Sequence, residues 1–123
     1  MTNQLDQFIA ITRALSDPTQ VRILLALRRG ELCVCQLTAL CGLAPSTVSK
    51  HLAVLYQAGL VQYRKTDRWV YYRLANSSAS VVVREALDWV KKSLANTEQV
   101  NADNKRLQQI LKVEPTELCR LRR

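Results

Sequence analysis

Cys33 and Cys35 stand two residues apart in Glu31-Leu32-Cys33-Val34-Cys35, and Cys41 and Cys119 complete the four cysteines of the chain. As thiolates such residues bind soft, low-coordinate metal and metalloid ions, and a helix opening at the pair favours the thiolate form. Residues at i and i+2 diverge on a regular helix, so one ion takes both sulfurs only if the first turn is irregular or bends. Ion capture there distorts whatever the helix supports. Cys41 follows Cys35 by six residues, about 9 Å along an ideal helix, and joining it requires that helix to unwind. Its alternative is a small buried residue in a turn, and that of Cys119 an unused thiol on the tail; otherwise either is a third ligand. The single histidine, His51, leaves no basis for a His-rich metal site or a His-based triad. No Gly-rich loop or paired-carboxylate site points to an enzyme.

A second chemistry resides in Ala44-Pro45-Ser46-Thr47-Val48-Ser49-Lys50-His51. With Val48, Leu52 and Leu55 turned inward, the spacing puts Ser46, Thr47, Ser49, Lys50 and Ala53 on the outward arc of a helix. Small hydroxyls and free N–H groups at a helix start suit phosphates and base edges, and Lys50 suits guanine acceptors or a phosphate. His51 reads as packing or a DNA contact. Downstream, Arg64, Lys65, Arg68 and Arg73 surround a short turn against Asp67 alone, which suits the backbone or minor groove of double-stranded DNA. Tyr63, Trp69, Tyr71 and Tyr72 are expected to fill the inner face of that hairpin rather than stack on unpaired bases.

These groups need positioning elements. Residues 4–15 read as a helix with Leu5, Phe8, Ile9 and Leu15 near one face. Asp17, Pro18 and Gln20 make an N-cap, a first helical residue and a capping-box partner for a second helix reaching about Arg29. A third helix is expected over Val34 to Leu40, a break at Cys41-Gly42-Leu43, and a fourth helix from Pro45 to about Ala58. Two short helices joined by a Gly-containing turn form a helix-turn-helix. Residues 60–65 and 69–74 alternate with period two around Thr66-Asp67-Arg68 as a β-hairpin. Asn76-Ser77-Ser78 is expected to cap a fifth helix carrying Val83, Ala86, Leu87, Val90 and Leu94. Residues 95–104 read as polar, with a weaker helix over about Lys105 to Lys112 and a tail broken by Pro115. The fold class is therefore mainly α (α+β), a winged helix-turn-helix with flanking N- and C-terminal dimerisation helices. Residues 1–95 form the DNA-binding and dimerisation domain, and residues 96–123 a polar C-terminal extension with a weak helix and basic tail.

The 123 residues hold 18 Lys+Arg against 10 Asp+Glu, a net charge of +8 that favours an anionic partner. The excess concentrates after residue 60, where 13 basic face 7 acidic side chains. No apolar run of about 18 residues predicts a membrane span, and the start carries no export pattern. A cytoplasmic protein with four thiols and no disulfide frame is expected.

Leu15-Ser16-Asp17-Pro18-Thr19-Gln20-Val21-Arg22-Ile23-Leu24, the Cys33/Cys35 pentapeptide, Ser46-Thr47-Val48-Ser49-Lys50-His51-Leu52, Gly59-Leu60-Val61, and the wing from Arg64-Lys65 to Trp69-Val70-Tyr71-Tyr72-Arg73-Leu74 together resemble the arsenic-responsive repressors of the ArsR/SmtB family. The resemblance covers about residues 5–95. It implies a homodimer paired through the first and fifth helices, bound to double-stranded operator DNA through Ser46, Thr47, Ser49, Lys50, His51, Arg64, Lys65 and Arg68. As(III) or Sb(III), the inducer, would bind thiolates of Cys33 and Cys35 and release the DNA; no organic cofactor or membrane partner is implied. The chain departs from one arrangement of the family, which has a third cysteine where Thr38 stands, leaving Cys119 or Cys41 as the third ligand. Residues 1–30 lack the cysteines of the family's cadmium/lead-type site, and residues 78–95 lack the histidines of its zinc site. A thiol redox or Zn(II)/Cd(II)-responsive regulator is the competing expectation.

Overall fold

In the computed structural model, residues 3–121 are described, and they fold in the order α1 (Gln4–Ala14), α2 (Pro18–Leu27), β1 (Leu32–Cys33), α3 (Val34–Cys41), α4 (Pro45–Gln57), β2 (Val61–Lys65), β3 (Val70–Leu74), α5 (Val81–Leu94), α6 (Glu98–Ile110) and α7 (Pro115–Leu121). α2 starts as its residues dictate: the Asp17 side chain accepts from the Gln20 N–H at 3.1 Å, with Pro18 in the first turn. Gly42, at φ +67°, adopts the left-handed conformation that closes α3 and turns the chain into α4. α4 begins at Ala44 without a side-chain cap and relies on Pro45 to set its first turn.

The sheet has the order β1-β3-β2, all antiparallel, with Cys33 opposite Tyr71 and Tyr63 opposite Tyr72. The hairpin turn closes without glycine because the Thr66 hydroxyl accepts from the Trp69 N–H at 3.0 Å, while Thr66 N–H donates to the Trp69 carbonyl at 2.8 Å. β1 was not expected from the sequence; two residues carry no detectable period, and only β3 gives them a partner.

One core gathers Ile23, Leu24, Leu27, Leu37, Val48, Leu52, Leu55 and Leu60 with Val83 and Leu87, and it also takes in Leu107, Ile110 and Leu118. The C-terminal segment therefore packs more extensively than a weak helix over 105–112. α6 begins at Glu98, and Pro115 opens α7 as a first-turn proline where a broken tail was expected. Asp103 explains the difference. It lies on the buried stripe of α6 beside Val100 and Leu107, and Arg22 of α2 grips both carboxylate oxygens at 2.9 and 3.0 Å. An aspartate reads as polar in a sequence, yet here it holds α6 to α2. Arg106 adds donation to the Ala39 carbonyl of α3 at 3.0 Å.

Of the residues expected near one face of α1, Leu15 packs against the core and the other three point outward. Ile11 and Ala14 enter the core, while Leu5, Phe8 and Ile9 remain exposed, Phe8 at 54%. α5 is capped by Ser80, whose Oγ accepts from the Val83 N–H at 3.3 Å; Asn76 instead accepts from the Ser78 N–H at 3.0 Å in a local turn. Among the described residues no helix is long and apolar enough to cross a membrane.

Candidate functional site

Cys33 ends β1 in an extended conformation and stands as the N-cap of α3, so it and Cys35 do not both lie within the helix. Its N–H donates to Gln36 Oε1 at 2.9 Å, closing a capping box. Burial pushes the Cys33 thiol above its ordinary range, outweighing the backbone N–H groups that face it, so the expected acidification at the helix start does not occur at this residue.

Cys35, in the first turn of α3, is disulfide-bonded to Cys119 of α7, with Cα atoms 5.3 Å apart and a sequence separation of 84. The expectation of four free thiols is corrected accordingly. α7 packs along α3, with Leu118 buried, and this packing brings the neighbouring Cys119 to Cys35. Cys41 takes no part: it closes the opposite end of α3, where burial raises its thiol and Arg22 and Asp103 are the charges nearby. Among the described residues no three Cys, His, Asp or Glu side chains are grouped for a metal ion.

Cys33, Cys35 and Cys119 border one cavity of about 470 Å³, together with Val34 and Thr38 of α3, Pro45 and Ser49 of α4, and Arg68, Trp69 and Val70 of the wing. Thr38, 1% exposed, has a buried Oγ1 with no hydrogen-bond partner. In the sequence Thr38 stands out only as the residue where one arrangement of the family has a cysteine; its burial depends on α3 packing and has no local signal.

The outward arc of α4 carries Ser46, Thr47, Ser49 and Lys50, all exposed, beside the exposed wing residues Lys65 and Arg68. Arg64 is also exposed but engaged: its Nε donates to Glu31 Oε2 at 3.0 Å, and its guanidinium lies 4.6 Å from the centre of the Tyr71 ring. That pair lowers the Glu31 carboxyl and raises the Arg64 guanidinium. His51 turns inward. Its Nδ1–H donates to Gln20 Oε1 at 2.9 Å, and Gln20 Nε2 donates to the Ala14 carbonyl at 2.8 Å, so one buried glutamine joins α1, α2 and α4. Tyr56, Tyr63 and Tyr72 form a tilted ladder with ring centroids 5.1 and 5.5 Å apart, occupied with one another.

Residues 17–63 match the model of the bacterial regulatory proteins of the arsR family. The chain is 40% identical over 91 residues to a transcriptional repressor SmtB homolog of Synechocystis, an alignment covering 74% of this chain and 69% of that protein. This chain belongs to the ArsR/SmtB family of transcriptional repressors. It is 46% identical over 65 residues to the arsenic resistance transcriptional regulator ArsR1 of Pseudomonas putida, over 52% of this chain and 51% of that one. Among solved structures it resembles HlyU from Vibrio cholerae, with TM-score 0.64 at 27% identity over 78% of this chain and all of that one. It also resembles the homodimeric winged helix-turn-helix domain of Mb0332 from Mycobacterium bovis, with TM-score 0.63 at 30% identity over 74% and 81% of the two chains. The ArsR/SmtB protein is thus a winged helix-turn-helix DNA-binding regulator and not an enzyme.

Proposed function

We propose that this ArsR/SmtB repressor acts in the cytoplasm as a homodimer on operator DNA and lets go when As(III) or Sb(III) is captured by the reduced thiols of Cys35 and Cys119, with Cys33 bordering the same cavity. The observation that carries this reading is the shared cavity: its walls belong to the thiol-bearing α3 and α7 and also to Ser49 of α4 and Arg68 and Trp69 of the wing. An ion drawn between α3 and α7 therefore strains the elements that present Ser46, Thr47, Ser49, Lys50, Lys65 and Arg68 to DNA. A hundredfold loss of operator affinity requires about 2.7 kcal/mol of coupling, and operator binding must weaken ion binding equally. Dimerisation is supported by the exposed apolar side chains of α1 (Leu5, Phe8, Ile9) and α5 (Val81, Trp89), and by the homodimeric relative.

The test is operator release followed by fluorescence anisotropy. Cys35→Ser and Cys119→Ser should bind the operator normally and resist arsenite; normal release by both would refute the reading. The Cys35–Cys119 disulfide favours a second reading, in which oxidation itself is the signal. Titrating the same complex with peroxide, Cd(II) and arsenite separates the alternatives, since a redox sensor responds to peroxide alone.

A further inference from the structure

α7 sits where the two DNA-reading parts of the protein meet. Its Cys119 borders one cavity with Pro45 and Ser49 of α4 and with Arg68 of the wing. One residue further on, Arg120 shares a second cleft of about 360 Å³ with Arg68, Trp69, Thr116 and Cys119. These walls carry two guanidiniums and no carboxylate. Two like charges bordering one cleft repel, and an anion between them turns that repulsion into attraction. The acids nearby stand outside it. Glu117 lies on the same helix, its Oε2 3.7 Å from Arg120 Nη1, with the two side chains 51% and 71% exposed. An exposed pair of this kind holds its partners weakly. Asp67 precedes Arg68 in the hairpin turn and does not border the cleft. The backbone of Arg120 is fixed in advance, because Leu118 is buried in the shared core and Cys119 is bonded to Cys35. Little further chain entropy is therefore lost when its side chain makes a contact.

We propose that α7 extends the DNA interface: on each protomer Arg120 joins Arg68 in gripping a backbone phosphate beside the wing. This rests on the DNA-binding role of α4 and the wing, and it adds an element from outside the winged helix-turn-helix. A guanidinium fork matches phosphate oxygens in pairs and keeps its charge at every working pH. Such a contact carries no sequence information, so Arg120 supplies affinity and register while base choice stays with α4. Arg120 and the Cys119 sulfur occupy adjacent positions on one short helix. Any displacement of α7 from α3 consequently moves Arg120 relative to the phosphates.

The experiment measures the salt dependence of DNA binding by fluorescence anisotropy, using oxidised protein and a duplex that wild type selects from a random pool. Loss of one phosphate contact per protomer of a dimer should lower the log–log slope for Arg120→Ala by about 1.8 and weaken binding about 30-fold at ~0.15 M salt. Arg120→Lys, which keeps the charge, should retain a slope close to wild type. Lys112→Ala removes an exposed cation from the turn between α6 and α7 that does not border the cleft, and it should leave the slope unchanged. An Arg120→Ala slope equal to wild type, an equal fall for Lys112→Ala, or no recovery with Arg120→Lys each overturns the role of Arg120. Both Arg120 variants should melt with wild type; a lowered melting temperature makes the arginine a structural one and overturns the proposal too. Wild type that selects no duplex, or whose affinity ignores salt, overturns instead the DNA reading of α4 and the wing.

Discussion

Linking Cys35 to Cys119 closes a loop across most of the chain, and the consequence for stability is calculable. With a separation of 84 residues, the chain-entropy model gives about 4.6 kcal/mol of stabilisation from the bond, and measured bonds typically deliver about 2–4 kcal/mol. A chain of 123 residues unfolds with about 0.26 kcal/mol/K of entropy near its midpoint, so oxidation should raise the melting temperature by about 8–15 °C. The perturbation is mild oxidation of purified protein against a reduced control, with Cys119→Ser carried through both treatments. Thermal unfolding by circular dichroism reads the shift, and non-reducing peptide mapping identifies the partners. Cys119→Ser should melt at the same temperature in either buffer. If oxidised and reduced wild type melt together, or if Cys119 maps to any cysteine except Cys35 of its own chain, α7 does not lie against α3. The cavity on which the proposed function depends would then not exist.

Four further outcomes are expected. Leu107→Ala, at a position 1% exposed in the shared core, should cost about 3 kcal/mol and lower the melting temperature of the whole chain by roughly 10 °C; a silent substitution would make α6 an appendage. Replacing Lys65 and Arg68 by alanine should flatten the salt dependence of operator binding by about 3–4 in log–log slope for a dimer, if each cation meets one phosphate. Phe8→Glu combined with Trp89→Glu, at side chains 54% and 65% exposed, should yield a folded monomer by sedimentation while native protein sediments as a dimer. Because burial raises the Cys33 thiol, its thiolate fraction at neutral pH is below that of an ordinary cysteine; alkylation followed by mass spectrometry should be slow at pH 7 and accelerate only above the pH at which the denatured chain reacts.

Much of the DNA-reading half is legible locally. The Asp17 cap with Pro18, the glycine stop at Gly42 and the period-two strands around Thr66 are short-range signals, and each appears in the fold as expected. Leu5, Phe8 and Ile9 were rightly read as an apolar stripe but turn away from the core of their own chain. Periodicity reveals that a face is apolar, not what covers it. α6 was understated because its stripe contains Asp103, whose burial depends on Arg22, 81 residues away. The fifth-helix cap moved from the Asn76-Ser77-Ser78 cluster to Ser80 because several adjacent polar residues are all able to cap, and the packing of Val83 and Leu87 selects among them.

The sequence by itself determined the helix-turn-helix, the basic wing and the thiols at the start of the third helix, because caps, glycine stops and residue periods act over a few neighbours. Only the tertiary structure decided which cysteine meets Cys35, since Cys41 is near in sequence yet held at the other end of a rigid helix, whereas Cys119 is brought across by the packing of α7 on α3. The same packing set Thr38 in the cavity wall with its hydroxyl buried. Bringing distant segments together costs chain entropy that only the buried core as a whole offsets, and no local pattern of residues records that balance.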